Sequence, residues 1–141
     1  MSWDRIVKAL AAVAGAVAGV FGEWNQMLTI LVAAMSADYI TGLIVAACGR
    51  SPKTRAGGLS SKVGFVGLAK KAVIMLVVLL ATLLDRAVGN AGMVFQSAAT
   101  CYYIANEGLS VLENAGALGV PFPEPVREAL ESMKRGKDEK K

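Results

Sequence analysis

Long uncharged stretches separated by short polar links dominate residues 1–120 of the chain. The clearest of them, Gln26 to Gly49, contains one charged residue, Asp38, near its middle. As a helix, its 24 residues extend about 36 Å, which is enough to cross a hydrocarbon core of about 30 Å. The pattern predicts a membrane-spanning helix that carries a carboxylate close to the midplane of the bilayer.

Three other apolar segments complete the pattern. The first is an Ala/Gly-rich run between Trp3 and Trp24, whose spacing fits one crossing because tryptophan prefers the membrane interfaces. Only residues 23–25 link it to the second segment, so these two helices are expected to run antiparallel. We predict an all-α membrane protein, a small bundle of four hydrophobic helices. Three of them are membrane spans, and the N-terminal Ala/Gly-rich helix is the fourth. The approximate helices are 4–22, 26–49, 65–88 and 91–116.

Three prolines between residues 121 and 125 separate this transmembrane domain, residues 1–120, from the C-terminal region 121–141. Apolar residues then recur at i, i+3, i+4 and i+7 from Val126 to Met133, which predicts a short amphipathic helix. The sequence KRGKDEKK that follows is expected to be a charged tail in the cytoplasm.

Composition and charge narrow the class of protein. The chain is 55% hydrophobic and 18% charged, with a mean hydropathy of +0.50, which is typical of a membrane protein. It has no histidine, and Cys48 and Cys101 lie in separate segments, so neither a metal site nor a cofactor site is predicted. The loop from Arg50 to Lys62 holds four basic residues and no acidic one. By the positive-inside rule it is cytoplasmic, and four spans then place both termini in the cytoplasm. Nucleic-acid binding is disfavoured because no aromatic residue lies among these charges.

Small residues are candidates for close helix packing. Those at fourth-residue spacing in the first helix, with one in the second, let another helix approach closely. An Ala/Gly-rich helix with no specific partner is the alternative interpretation. The candidates are Ala11, Gly15, Gly19 and Gly42.

Polar residues inside the apolar segments are the candidates for function, because they are costly in lipid. Asp38 either titrates and gates, pairs with Lys70 or Lys71, or is neutral and hydrogen-bonded to a neighbouring helix. Asp85 is expected near the outer surface, where water hydrates it. The stripe after residue 105 either lines water or faces the cytoplasm. The full set is Asp38, Thr41, Lys70, Lys71, Asp85, Gln96, Asn106, Glu107, Ser110, Glu113 and Asn114.

Several short motifs occur in an order and spacing that resemble the toxin-secretion and phage-lysis holin family. They cover about two thirds of the chain. The motifs are Asp38-Tyr39-Ile40-Thr41-Gly42-Leu43, Leu59 to Gly64, Gly67 with Lys70-Lys71, Leu83-Leu84-Asp85, Asn106-Glu107, Leu109-Ser110, Glu113-Asn114, Gly119 and Pro121 to Pro123.

The resemblance implies a small phage-encoded protein of the bacterial inner membrane that assembles with copies of itself. Its pores release a cell-wall-degrading endolysin, or in some members a toxin, so endolysin is cargo and the bilayer and an antiholin are the other partners. It implies no catalytic residue. Two other classes stay open from the residues alone: a non-enzymatic membrane subunit that binds a partner, and a small oligomeric transporter that uses Asp38. An enzyme is least favoured, because no nucleophile with a base and no phosphate-binding loop is recognisable.

Overall fold

The structure, a computed structural model, describes residues 2–136. Within that range it contains five α-helices and no strand, which confirms the all-helical class predicted from the sequence. The charged tail beyond residue 136 lies outside the described residues. The helices are α1 Trp3–Phe21, α2 Gln26–Ala47, α3 Ser61–Ala87, α4 Val94–Ala117 and α5 Glu124–Arg135.

Two of these helices, α2 and α3, are long and apolar enough to cross a membrane. The other two long helices are more polar. The first turns of α1 carry Asp4, Arg5 and Lys8, and α4 carries Gln96 and Glu107 among its polar residues. By length and composition residues 2–136 therefore contain two candidate membrane spans, fewer than the three or four predicted from the sequence.

The start of α3 lies at Ser61, four residues before the predicted start at residue 65. The Ser60 hydroxyl oxygen accepts a hydrogen bond from the Val63 N–H at 3.4 Å, which caps the helix. Because of this cap, α3 is one continuous helix of 27 residues. Lys62 and Lys71 therefore extend from the same rigid element, two and a half turns apart.

The central element of the bundle is α4, which packs against α2, α3 and α5. Asn25, just before α2, contacts Gln96 near the start of α4, and Thr41 contacts Asn114 near its end. The two helices therefore run in the same direction. Thr82, late in α3, contacts the same Gln96 near the start of α4, and Lys71, earlier in α3, contacts Glu107 further along α4. Helix α3 therefore runs antiparallel to α4. This up-down-up arrangement brings three polar helix faces together.

The hydrophobic core lies near the end of the bundle where α1 leads into α2. Its buried members are Phe21, Leu28, Leu31, Met35, Val78 and Ile104. The outer faces of α2 and α3 remain apolar and exposed, for example at Ile40, Leu76 and Leu80. Such a continuous apolar exterior favours contact with lipid over contact with water.

The N-terminal helix meets the bundle only at its C-terminal end. Phe21 is its one buried residue, and the Arg86 guanidinium of α3 donates a hydrogen bond to the Phe21 carbonyl at 2.6 Å. The main contacts of α1 are with α3, so α1 does not pack along α2, the helix that follows it. The physical reason is that alanine and glycine offer little apolar area with which to hold α1 along a neighbour. The antiparallel direction of α1 and α2 stays a prediction.

The predicted packing residues fall into two groups. A Cβ built on Gly15 or Gly19 meets nothing within 4 Å, so that ridge has no partner among residues 2–136. Ala11 is likewise exposed on α1. A Cβ at Gly42, in contrast, would lie 3.8 Å from the Asn114 amide nitrogen, so Gly42 faces α4 at an ordinary van der Waals distance that would also accommodate alanine.

The contact of α5 with α4 depends on a glycine. A Cβ added to Gly108 would lie 2.9 Å from the Leu130 Cδ2 atom of α5. We expect Gly108→Ala to push α5 away and to speed amide hydrogen exchange in residues 124–135 at least about threefold, because local opening becomes easier. In a chain that already carries Leu130→Ala the clash is absent, so adding Gly108→Ala there should change the exchange less than it does in the wild type. Equal exchange in Gly108→Ala and in the wild type would contradict the contact.

Candidate functional site

Three charged side chains, one from each long bundle helix, meet in the interior of the protein. The Lys71 ammonium of α3 donates to Asp38 Oδ2 of α2 at 2.7 Å and to Glu107 Oε2 of α4 at 2.6 Å. The side chains of Lys71, Asp38 and Glu107 are 14%, 11% and 5% exposed. This group, here called the charge cluster, fastens α2, α3 and α4 to one another at a single level.

Neutral polar groups extend the charge cluster along α2 and α4. Glu107 and Asn114 are seven residues apart, or about two turns, so they share one face of α4. The Asn114 amide donates to Asp38 Oδ1 at 3.1 Å and to the Thr41 hydroxyl oxygen at 2.8 Å. The Thr41 hydroxyl donates in turn to the Ala37 carbonyl at 2.8 Å. The Asp38 carboxylate is therefore oriented by Asn114 of α4 as well as by Lys71 of α3.

The charge cluster has two carboxylates and one ammonium group. When all three are ionised it carries one net negative charge, and in a poorly solvated interior such charges interact strongly. Lys71 offsets the repulsion between Asp38 and Glu107, so its position controls whether both carboxylates can be buried. The arrangement therefore depends on Lys71 keeping its contacts with both carboxylates.

A cavity of 530 Å³ leads from the charge cluster towards the basic loop between α2 and α3. Asn106 and Ser110 of α4 lie on its wall, half-buried. Lys70 also lines the cavity but is exposed and forms no ion pair within residues 2–136. Glu113 is exposed and outside the cavity. The structure thus separates Lys71, which pairs with Asp38, from its sequence neighbour Lys70.

A second polar cluster occupies the opposite end of the bundle. Asp85, which has no exposed surface, accepts hydrogen bonds from the backbone N–H groups of Phe95 at 2.9 Å and Gln96 at 2.8 Å. It also accepts one from the Asn90 amide at 3.3 Å. The expectation that Asp85 is hydrated at the outer surface is therefore wrong. The free N–H groups at the start of α4 draw its carboxylate inward, where it acts as a helix cap supplied by α3.

Gln96 connects this second cluster to the start of α2 and to a further residue of α3. Its amide donates to the Thr82 hydroxyl oxygen at 2.7 Å, and its carbonyl oxygen accepts from Asn25 at 2.8 Å. Sequence reasoning missed Asn25 and Thr82. Thr82 lies three residues before Asp85, on the same face of α3, and this spacing is the signal that could have found it.

Metal binding finds no support among residues 2–136, where no group of three or more His, Cys, Asp or Glu side chains is placed to hold an ion. Cys48 is exposed and Cys101 is half-buried, and both are free thiols. The polar side chains of the two clusters form ion pairs, a helix cap and hydrogen bonds between helices.

Comparison with known proteins identifies the relatives of this chain. The model of the bacteriophage holin family matches residues 15–135. A protein of Clostridium perfringens is 39% identical over 114 residues, which are 81% of this chain and 79% of that protein. A protein of Halalkalibacterium halodurans is 34% identical over 136 residues, 93% of this chain and 96% of the relative.

One relative has a functional name. A protein of Bacillus phage phi105 called a probable holin is 33% identical over 120 residues, 85% of this chain and 82% of that protein. No solved structure matches the chain. The family match covers most of the sequence, including both polar clusters and the basic loop. The chain therefore belongs to the bacteriophage holin family.

Proposed function

We propose that this protein is a holin that oligomerises in the bacterial inner membrane and opens lesions through which an endolysin leaves the cell. Its family is a class of non-enzymatic membrane proteins of phage lysis. The observation that carries the proposal is the charge cluster, buried between three helices, of which α2 and α3 have apolar outer faces. Such charges are paired inside a dispersed bundle and gain hydration in a water-lined assembly.

The proposed topology has α2, α3 and α4 crossing the membrane side by side. Support comes from α4 itself, which lies parallel to α2 from Gln96 to Asn114 and is covered on its polar face by α2 and α3. Burial of that face explains how a helix of low hydropathy can sit within a bilayer. The N-terminal helix α1 is proposed as a fourth crossing, held at its outer end by Arg86.

Orientation follows from the basic residues. The loop with Arg50, Lys53 and Arg55 lies at the cytoplasmic end of α2 and α3, so the Asp85 cluster lies at the outer end. Both termini are then cytoplasmic, and α5 packs back against the cytoplasmic half of α4, with Leu130 beside Gly108.

The charge cluster sits in the cytoplasmic half of the membrane in this topology. From Lys71 to Asp85, α3 rises about 21 Å, which is less than the hydrocarbon thickness of about 30 Å. With Asp85 at the outer edge of the hydrocarbon layer, that layer extends past Lys71 towards Phe65, which is 73% exposed. This depth exposes the cluster to part of the membrane potential, worth about 2.3 kcal/mol for each charge moved fully through 100 mV.

Assembly requires surfaces by which copies can approach. The exposed ridge of Ala11, Gly15 and Gly19 on α1 is proposed as one such surface, because small residues allow close helix contact in lipid. An antiholin that competes for the same surface is a candidate partner. Separation of α2 from α3 at the charge cluster is proposed as the step that admits water.

The test of the proposed function is induced expression in a bacterium that also produces a cytoplasmic endolysin. We expect a delay followed by abrupt lysis that requires the endolysin and is advanced by an uncoupler. Growth without endolysin release, even after the uncoupler, would contradict the holin assignment and favour a partner-binding subunit. Passage of one small solute without passage of folded protein would instead identify a transporter.

Asp38→Asn is expected to shorten the delay before lysis. The change removes the ionic contact of α2 with Lys71 but leaves the contact of Lys71 with Glu107, so α2 separates more easily. Glu131→Gln is the matched control, because it removes a carboxylate from an exposed site on α5. Identical lysis times and identical uncoupler responses in wild type and Asp38→Asn would exclude Asp38 from triggering.

A further inference from the structure

We propose that the cavity between the charge cluster and the basic loop binds the phosphate of an anionic phospholipid headgroup. This inference uses the proposed orientation but does not depend on pore formation. The cavity opens where α2, α3 and the loop of residues 51–60 meet, which the topology above places at the inner membrane interface. Basic pockets between membrane helices on this side are suited to acidic lipids.

The charge of the cavity wall favours an anion. Four lysines and two carboxylates line it. Both carboxylates, Asp38 and Glu107, are bound to Lys71. Lys53, Lys62 and Lys70 are exposed, and within residues 2–136 none of them has a carboxylate partner. The mouth of the cavity therefore presents three ammonium groups, while the two carboxylates at its inner end are both bound to Lys71.

Hydrogen-bond donors are available beside these lysines. Ser51 and Ser60 line the same wall, and each uses its hydroxyl oxygen only as an acceptor. Thr54 also lines it, but its hydroxyl donates to the Gly58 carbonyl at 2.8 Å. The Ser51 hydroxyl oxygen accepts from the Lys53 N–H at 3.3 Å, which leaves its own proton free to donate to a phosphate oxygen. Lysine and hydroxyl groups together are a common setting for phosphate oxygens.

The shape and apolar part of the wall favour a lipid over a free anion. Leu43, Val66 and Ile74 line the cavity between the polar groups, and the exposed apolar faces of α2 and α3 adjoin it. A phospholipid can place its phosphate among the lysines and its acyl chains along these faces. A free phosphate would use only the polar part of the site. The two carboxylates at the inner end would repel any anion that moved deeper, which fixes the depth of the headgroup.

The experiment measures lipid retention by the purified full chain in zwitterionic detergent, using native mass spectrometry with added phosphatidylglycerol or phosphatidylcholine. We expect phosphatidylglycerol to be retained at least about tenfold better, and Lys53→Gln/Lys62→Gln to lose most of that preference, because each lysine near a membrane surface contributes measurably to anionic lipid binding. The control Lys8→Gln/Lys134→Gln removes two exposed lysines that do not line the cavity and should keep the preference.

Three results would overturn the proposal. One is equal retention of the two lipids by the wild type, and another is equal loss of preference in the control and the cavity variant. The third is displacement of bound phosphatidylglycerol by millimolar inorganic phosphate, which would identify a free-anion site instead of a lipid site. None of these results bears on lysis, so the lipid site and the holin assignment can fail separately.

Discussion

Lys71→Met should lower the free energy of unfolding by about 3–5 kcal/mol, the usual cost of removing one partner from a buried ionic group. The substitution keeps the length of the side chain but removes the ammonium that contacts Asp38 at 2.7 Å and Glu107 at 2.6 Å. Two carboxylates then share a poorly hydrated site without a cation. Unfolding of the detergent-solubilised protein by SDS, followed by circular dichroism, measures the loss.

Two further variants make this prediction specific. Lys70→Met changes the neighbouring exposed lysine on the same helix and should leave stability within about 0.5 kcal/mol of the wild type. Lys71→Met combined with Asp38→Asn and Glu107→Gln removes all three charges and should recover a large part of the loss. Equal destabilisation by Lys70→Met and Lys71→Met would contradict the role given to the charge cluster.

The three members of the charge cluster are expected to contribute unequally to the free energy of unfolding. Asp38→Asn leaves one ammonium with one carboxylate, so it should cost much less than Lys71→Met. A double-mutant cycle with Asp38→Asn and Lys71→Gln should give a coupling energy of about 0.5–3 kcal/mol, as expected for groups in direct contact. Additive effects in this cycle would exclude the Asp38–Lys71 pair.

Asp85→Ala should lower the free energy of unfolding by about 2–4 kcal/mol, because it leaves several buried donors without an acceptor. The donors are the N–H groups of Phe95 and Gln96 and the Asn90 amide. Loss of this cap should fray the start of α4. The same SDS unfolding, with amide hydrogen exchange of residues 94–98, tests it.

The control for this second prediction is Asp4→Ala, which removes an exposed carboxylate from the first turn of α1 and should cost less than about 1 kcal/mol. Asp85→Asn keeps one acceptor oxygen and should fall between the wild type and Asp85→Ala. A stability of Asp85→Ala equal to that of Asp4→Ala would show that Asp85 does not cap α4.

Part of the site was accessible from the sequence. A single carboxylate in an uncharged segment identifies Asp38 as costly in lipid, and a lysine pair at the edge of the next apolar segment identifies Lys70 and Lys71 as candidate partners. The sequence could not choose between these two lysines. Adjacent residues point about 100° apart on a helix, so the choice depends on how α3 is rotated against α2.

The burial of Asp85 and the contact of Glu107 with Lys71 could not be predicted from the residues next to them in the sequence. Asp85 lies next to Arg86 at the end of an apolar run. From the sequence alone, this position predicts that the Asp85 carboxylate is hydrated at the membrane interface. Its burial follows from the chain turning back within six residues, so that the free N–H groups of α4 face it. Likewise, nothing local shows that Glu107 reaches Lys71, because their sequence separation is 36 residues.

The sequence by itself determined the helical class, the approximate positions of the helices, the basic loop and most of the polar residues that lie in the interior. These properties depend on hydrophobic periodicity, turn residues and charge, which are local. Only the tertiary structure decided that α4 is central, that α1 is held at one end, and that Lys71 joins two carboxylates while Lys70 does not. These properties depend on helix direction and rotation, which are set by packing between distant parts of the chain.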